Sequence, residues 1–360
     1  MGKRNANLSG LARFVTEAFG PTSTSPPPTH IGSQDTPFPD SAAEGPAPGI
    51  ARRASQNVHD ASDDTVRPKK KRKVSGLLGS SKERYDASGL VPFYQDPSQV
   101  PSHLQKYFAQ RERYFSLYSS GCLLDEEGWY SVTPERIADQ IAGRCRCDVV
   151  LDAFCGVGGN AIAFAKTCER VIALDISPVR LALARHNAAI YGVADRIEFV
   201  LADFFSFARS LRESGSASRR KIDVVFLSPP WGGPSYLTDR PDGQQNTAHG
   251  EGEQTPPEFS LSAIRPVHGK ELFKVARGIT RNIAYFLPRN VKLEEVSALV
   301  TDPSGEEADY VPAQRQQSKG KEKAEVEMVE VEEEWMGNKL KALTCYFGGL
   351  VSGQEHLFDS

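Results

Sequence analysis

The run Val224 to Leu227 ends in Ser228-Pro229-Pro230-Trp231, residue types with a definite chemical meaning at the end of a strand. Two prolines fix φ and remove two backbone donors, so the Pro229 carbonyl and the Ser228 hydroxyl can be held as acceptors with little donor competition. Such an array suits an NH₂ group. An amine on a purine or pyrimidine is planar and needs little proton removal before it attacks an electrophilic carbon, so positioning matters more than a strong base. Trp231 offers a flat face to the ring carrying that amine. The other reading of Trp231, a hydrophobic cover over a sheet edge, is disfavoured by the prolines and glycines around it.

A second constellation lies upstream in Leu151 to Ala165, LDAFCGVGGNAIAFA. Asp152 closes a strand, Gly156 and Gly158 make a tight turn that lets backbone approach a ligand, and a helix follows with free N-terminal N–H groups. The spacing G-x-G-x-x-G fails because Ala161 stands where the third glycine would fall, which disfavours a pyrophosphate. Asp175 ends the next strand, close to the ~20-residue offset at which a carboxylate meets ribose hydroxyls. Asp203, in VLADFF, ends the third and is read either as a helix N-cap or as a ligand-binding acid. Three acidic strand ends in series would line the carboxyl edge of one sheet, where open α/β folds bind ligands.

Strands are expected at DVVLDAF, RVIALDI, RIEFVLAD, IDVVFLS, NIAYFLP and KALTCYFG, separated by helical stretches such as SPVRLALARHNAAIYG. Apolar strands joined through helices make an α/β fold, a doubly wound and mainly parallel sheet covered on both faces. Ahead of it, PSHLQKYFAQRERYFSLYSS reads as an amphipathic helix and VTPERIADQIAGR as a second, with Thr133 at N-cap and Pro134 at N1. The expected organisation is a disordered tail over residues 1–88, a helical N-terminal extension over 89–145, and a core over 146–360 with insertions at about 238–260 and 302–325. EVEMVEVEEEW, at the end of the second insertion, reads as an acidic edge strand or a solvated charge run.

The 360 residues carry 39% hydrophobic side chains, enough for a core, and no apolar run approaches the ~18 residues of a membrane span. No membrane association and no export are therefore expected. The six cysteines lack paired zinc spacing and are expected to be reduced thiols without a metal. A net charge of −3 advertises no nucleic-acid binding by the chain as a whole. Lys69-Lys70-Lys71-Arg72-Lys73 lies in the expected tail and reads as a nuclear localisation signal for an import receptor; nonspecific RNA contact is the alternative.

DAFCGVGGN matches motif I of the Rossmann-like methyltransferases that bind S-adenosylmethionine, and SPPW resembles motif IV of those that methylate amino groups. With NAAIYGVADRIEF, YFLPRN and KYFAQRERYFS followed by GWYSVTPE, the chain from about Pro101 to Gly348 resembles the trimethylguanosine synthase family of RNA cap methyltransferases. The resemblance implies successive methylation of the N2 amine of a 7-methylguanosine cap on small nuclear and nucleolar RNAs. It implies a nuclear enzyme, in nucleolus or nuclear bodies, that works beside ribonucleoprotein core proteins. Phe115, Thr133, Pro134, Asp152, Gly156, Gly158, Asp175 and Asp203 would bind cofactor. Ser228, Pro229 and Trp231 would carry catalysis by alignment. Asn187 would read the base edge, although on its own it reads equally as an ordinary late-helix residue. Lys106 and Arg289 would hold the cap triphosphate, although by themselves both suit solvated surface positions. Methylation of another planar amine, adenine N6 or glutamine, and a non-catalytic cap-binding scaffold are the alternatives.

Overall fold

In a computed structural model the described residues are 13–16, 76–213, 221–232, 257–301 and 327–358. The basic run Lys69–Lys73 and most of both expected insertions lie outside them. The strands are β1 (Arg13–Thr16), β2 (Val149–Asp152), β3 (Arg170–Asp175), β4 (Ile197–Leu201), β5 (Val224–Leu227), β6 (Ile283–Pro288), β7 (Val329–Met336) and β8 (Lys339–Phe347). They form one sheet in the order β1-β7-β8-β6-β5-β2-β3-β4. The five strands from β6 to β4 run parallel, β8 is antiparallel to β6, and β7, antiparallel to β8, returns to the common direction. The reversal of order beside β2 makes a crevice at the carboxyl ends of β2 and β5, the usual ligand position in such sheets.

The helices are α1 (Gln105–Phe108), α2 (Arg111–Tyr114), α3 (Glu126–Ser131), α4 (Glu135–Arg144), α5 (Gly159–Thr167), α6 (Pro178–Ile190), α7 (Phe204–Glu213), α8 (Gly269–Arg277) and α9 (Leu293–Thr301). Alternate residues of each central strand go to opposite sides. Val150, Val171, Val224, Phe226 and Phe286 pack with α4, α5 and α6, whereas Leu151, Ile172, Val225, Tyr285 and Leu287 pack with α7, α8 and α9. Coverage on both faces is why these strands read as continuous apolar runs rather than alternating ones. None of the described helices is long and apolar enough to cross a membrane.

The expected single helix over PSHLQKYFAQRERYFSLYSS is instead a chain of short turns, broken at Gln110, whose φ of −110° and ψ of 11° leave the helical region. The apolar spacing still does its work. Phe108, Phe115 and Tyr118 are buried, and the rings of Phe108, Tyr118 and Trp129 meet with centroids 5.6 to 6.1 Å apart. Burying each such ring contributes roughly 1.5–3 kcal/mol, enough to fasten the extension to the core without a long helix. Order also begins earlier than residue 89: Ser80–Tyr85 forms a 3₁₀ helix, and the Ala87 N–H donates to His186 Nδ1 of α6 at 3.1 Å. Its long-range anchor explains why composition placed Gly76 to Ser88 in the tail.

The acidic strand exists, as β7, but its glutamates are not solvated. Glu330, Glu332 and Glu334 are buried under α4. Arg144 forks onto Glu330 at 3.0 and 3.1 Å, Gln140 donates to Glu332 at 3.0 Å, and Thr344 donates to Glu334 at 2.5 Å. Nor is β7 an edge, because β1 pairs with its far side.

Candidate active site

The carboxyl ends of β2 and β3 are tied together by one carboxylate. Asp175 accepts the Gly156 N–H at 3.0 Å through one oxygen and the Ser177 N–H at 2.7 Å through the other. Each oxygen keeps a lone pair for a further donor. Its neighbour in the chain, Ile176, is 73% exposed, an apolar side chain left bare at the sheet edge beside an acid. Burial pushes the Asp175 carboxyl above its usual range.

Gly156 and Gly158 adopt φ of +52° and +92°, the left-handed region where only glycine is unstrained. A Cβ on Gly158 would also lie 3.0 Å from Ala184 Cβ, so the loop sits hard against α6. Asp152 is fully buried at the mouth of this loop. One of its oxygens accepts the Phe154 N–H at 3.4 Å; the other, Oδ2, has no partner within hydrogen-bond distance among the described residues, although the Ala161 N–H of α5 also bears on the carboxylate. Burial, with Asp175 as a secondary cause, raises its carboxyl to about 7. A buried acceptor this sparsely supplied with donors suits a ligand's cationic donor.

Ser228 is half-buried, and its hydroxyl donates to the Phe154 carbonyl at 3.4 Å. The proton is thereby directed into the glycine loop, which leaves the Ser228 oxygen its lone pairs. Pro229 is buried, while the Pro230 carbonyl accepts the Arg265 N–H at 3.3 Å. Trp231 is half-buried and rests on Phe286 of β6, ring centroids 5.2 Å apart and 34° between planes. Its ring touches both core clusters, so it covers the end of the sheet there.

Several expected site residues have other work. Asn187 is fully buried: Oδ1 accepts the Leu123 N–H at 2.8 Å, and Nδ2 donates to the Leu123 and Val157 carbonyls, both at 2.9 Å. It does not read a base; it clamps the extension to the glycine loop. Phe115 is buried against Tyr191 and fills the core. Helix α4 starts one residue later than expected, with Pro134 at N-cap, and the buried Thr133 hydroxyl accepts from Asn160 Nδ2 at 3.0 Å instead of capping. Thr133 thus closes over the start of α5 from the extension side. Asp203 takes the capping alternative, accepting the Phe205 N–H at 2.9 Å and the Ser206 N–H at 3.3 and 3.4 Å.

Lys106 is exposed on α1, its ammonium 4.8 Å from the Tyr107 ring centroid. Arg289 is exposed just beyond β6 and donates to the Leu340 carbonyl at 3.3 Å. No contact joins the two among the described residues. What the sequence did not disclose is Lys341: the pairing of Pro288 with Ala342 sets Lys341 opposite Arg289. Ile176 was missed as well, although its place directly after Asp175 was a usable signal.

The family model for RNA cap guanine-N2 methyltransferases matches residues 147–246 and 250–350. The trimethylguanosine synthase of Schizosaccharomyces pombe is 38% identical over 204 residues, 55% of this chain and 76% of that protein. The trimethylguanosine synthase of Saccharomyces cerevisiae is 34% identical over 200 residues, 54% of this chain and 57% of that protein. An uncharacterized S-adenosylmethionine-dependent methyltransferase of Mycobacterium tuberculosis is 38% identical over 116 residues, 31% of this chain and 32% of that protein.

Proposed function

This chain belongs to the RNA cap guanine-N2 methyltransferase family, and we propose that it adds two methyls in succession to the N2 amine of a 7-methylguanosine cap. It is an S-adenosylmethionine-dependent cap methyltransferase, and capped RNA is its substrate. The product is the 2,2,7-trimethylguanosine cap, and the RNAs are small nuclear and nucleolar ones. The observation that carries the reading is the end of β5, where the Ser228 hydroxyl gives its proton to the Phe154 carbonyl and Trp231, three residues on, rests on Phe286. The Ser228 oxygen and the Pro229 carbonyl accept the amine hydrogens, directing the nitrogen lone pair along the line of attack. Trp231 lies on the guanine plane; the positive charge of 7-methylguanine strengthens that contact by roughly 0.5–2 kcal/mol over guanine. Arg289 and Lys341 hold cap phosphates, with Lys106 reaching in from the extension.

S-Adenosylmethionine supplies an electrophilic methyl on a positively charged sulfur. The Asp175 oxygens suit its ribose hydroxyls, Ile176 suits the adenine face, and Asp152 Oδ2, with no close donor among the described residues, suits its ammonium group. A pH dependence follows. Below about 7 the buried Asp152 is neutral, and only its ionised form attracts an ammonium, so cofactor affinity rises with pH and levels off above about 7. Calorimetry should show a gain approaching tenfold per unit on the rising limb, and Asp152→Asn should flatten it. An unchanged profile in that variant would move the titration elsewhere.

The test of substrate class is a labelled-methyl assay offering a 7-methylguanosine cap, an unmethylated cap, an adenine-containing RNA and a glutamine peptide. Transfer to the first alone supports the proposal; transfer to adenine or glutamine instead rejects it. The nuclear setting is a proposal resting on Lys69–Lys73. Deleting those five residues should shift a fluorescent fusion to the cytoplasm, and unaltered nuclear accumulation would discard that signal.

A further inference from the structure

Strands β7 and β8 meet in a tight hairpin at Gly337, whose φ is +64°, and Met336 pairs with Lys339 at its tip. Just below the tip the register slips. Glu334 faces Ala342 but Trp335 faces Leu340, so Lys341 is an extra residue on β8 and stands beside Trp335 rather than opposite a partner of its own. Trp335 is 42% exposed, and its ring is held by an Nε1 hydrogen bond to Glu333 at 2.9 Å. Lys339 is exposed at the tip, and Arg113 is exposed on the neighbouring extension.

These cations share one neighbourhood. Burial lowers the Lys341 ammonium first, and the positive charges of Lys339, Arg113 and Arg289 lower it further. None of the four forms an ion pair with a carboxylate among the described residues. Four cations without a carboxylate ion-pair partner among the described residues, on the same hairpin and extension as an exposed indole whose Nε1–H is given to Glu333, suit a ligand that brings both phosphates and flat rings. The patch is also continuous with the cap site. Trp231 rests on β6, Arg289 directly follows it, Lys341 lies opposite Arg289, and the hairpin tip extends past both.

We infer that the β7–β8 tip and Arg113 form a track for the RNA chain beyond the cap, with phosphates on Lys339 and Arg113 and a base stacked on Trp335. The inference rests on the cap-methyltransferase reading and extends it from the cap to the first transcribed nucleotides. The acceptor is thus a capped single strand, and a cap dinucleotide leaves the track empty.

The test compares two acceptors, a 7-methylguanosine cap dinucleotide and a capped single-stranded RNA of about ten nucleotides. Wild type should show a KM roughly tenfold lower for the longer acceptor, an advantage that fades as salt rises. The double variant Arg113→Glu with Lys339→Glu should lose that advantage and lower the salt slope by about 1.4, two phosphate contacts at ~0.7 each. Trp335→Ala should weaken the longer acceptor alone by roughly tenfold. Both variants should keep wild-type kinetics on the dinucleotide. Equal KM for both acceptors in wild type, or variants that weaken both acceptors alike, would overturn the track. If neither acceptor is methylated, the cap reading fails by itself. Fluorescence polarisation with a labelled uncapped ten-nucleotide RNA then decides the track: binding weakened by the double variant supports it, and binding unaltered by it, or seen only with an acidic peptide, overturns it.

Discussion

Replacing Trp231 by alanine should lower cap methylation about a hundredfold or more while S-adenosylmethionine still binds. Two losses combine. The contact between an indole face and the cationic 7-methylguanine contributes up to about 2 kcal/mol, a factor of about thirty. Without the ring, the amine is no longer held in line for attack, and small misplacements of a reacting atom cost up to about a further hundredfold. The cofactor should be spared, because the bonds that organise its side of the crevice run between Asp175, Gly156 and Ser177 and do not involve Trp231. Since Trp231 also packs on Phe286, Trp231→Phe is the informative companion: it keeps the cover but offers a weaker face. Its activity should fall between wild type and the alanine variant, with a reduced preference for 7-methylated over unmethylated caps. Steady-state kinetics on both caps, beside calorimetry of cofactor binding, would check this. Full activity in Trp231→Ala would remove the residue from the site.

Asp175→Ala should weaken S-adenosylmethionine about a hundredfold or more. The carboxylate is proposed to accept ribose hydroxyls, and hydrogen bonds to a charged group contribute about 1.5–3 kcal/mol each. Its removal also strands the Gly156 N–H, whose unpaired burial costs about 1–3 kcal/mol and loosens the glycine turn. Asp175→Asn retains an acceptor but not the charge and should fall between the two. Calorimetry measures both variants, and thermal melting in the absence of ligand separates a loosened loop from a general loss of fold. An unchanged affinity in Asp175→Ala would take the residue out of the cofactor site.

The sheet was legible because its strands are buried on both faces and therefore appear as apolar runs, with Asp152, Asp175 and Ser228 marking their carboxyl ends. What could not be read were contacts between distant residues. Asn187 looked like a base reader or an idle helix residue; its three hydrogen bonds go to Leu123 and Val157, 64 and 30 residues away. The glutamates of β7 read as an acidic edge strand or a solvated charge run, because nothing near them in sequence announces Arg144 and Gln140. Thr133 beside Pro134 carries an N-cap signal, yet Asn160 supplies a donor from another helix and takes its hydroxyl. Asp203 shows the converse case, a local signal that prevailed because the backbone donors of α7 lie two and three residues ahead. Lys341 comes opposite Arg289 only through strand register, which a single strand's sequence does not contain.

The most direct test of the central claim is mass spectrometry of a 7-methylguanosine cap dinucleotide and its unmethylated counterpart after incubation with the purified protein and S-adenosylmethionine. The account predicts the gain of one and then two methyls on the 7-methylated cap alone, both on the guanine N2. No gain on either cap by a protein that binds S-adenosylmethionine, or methylation at another atom, would contradict it.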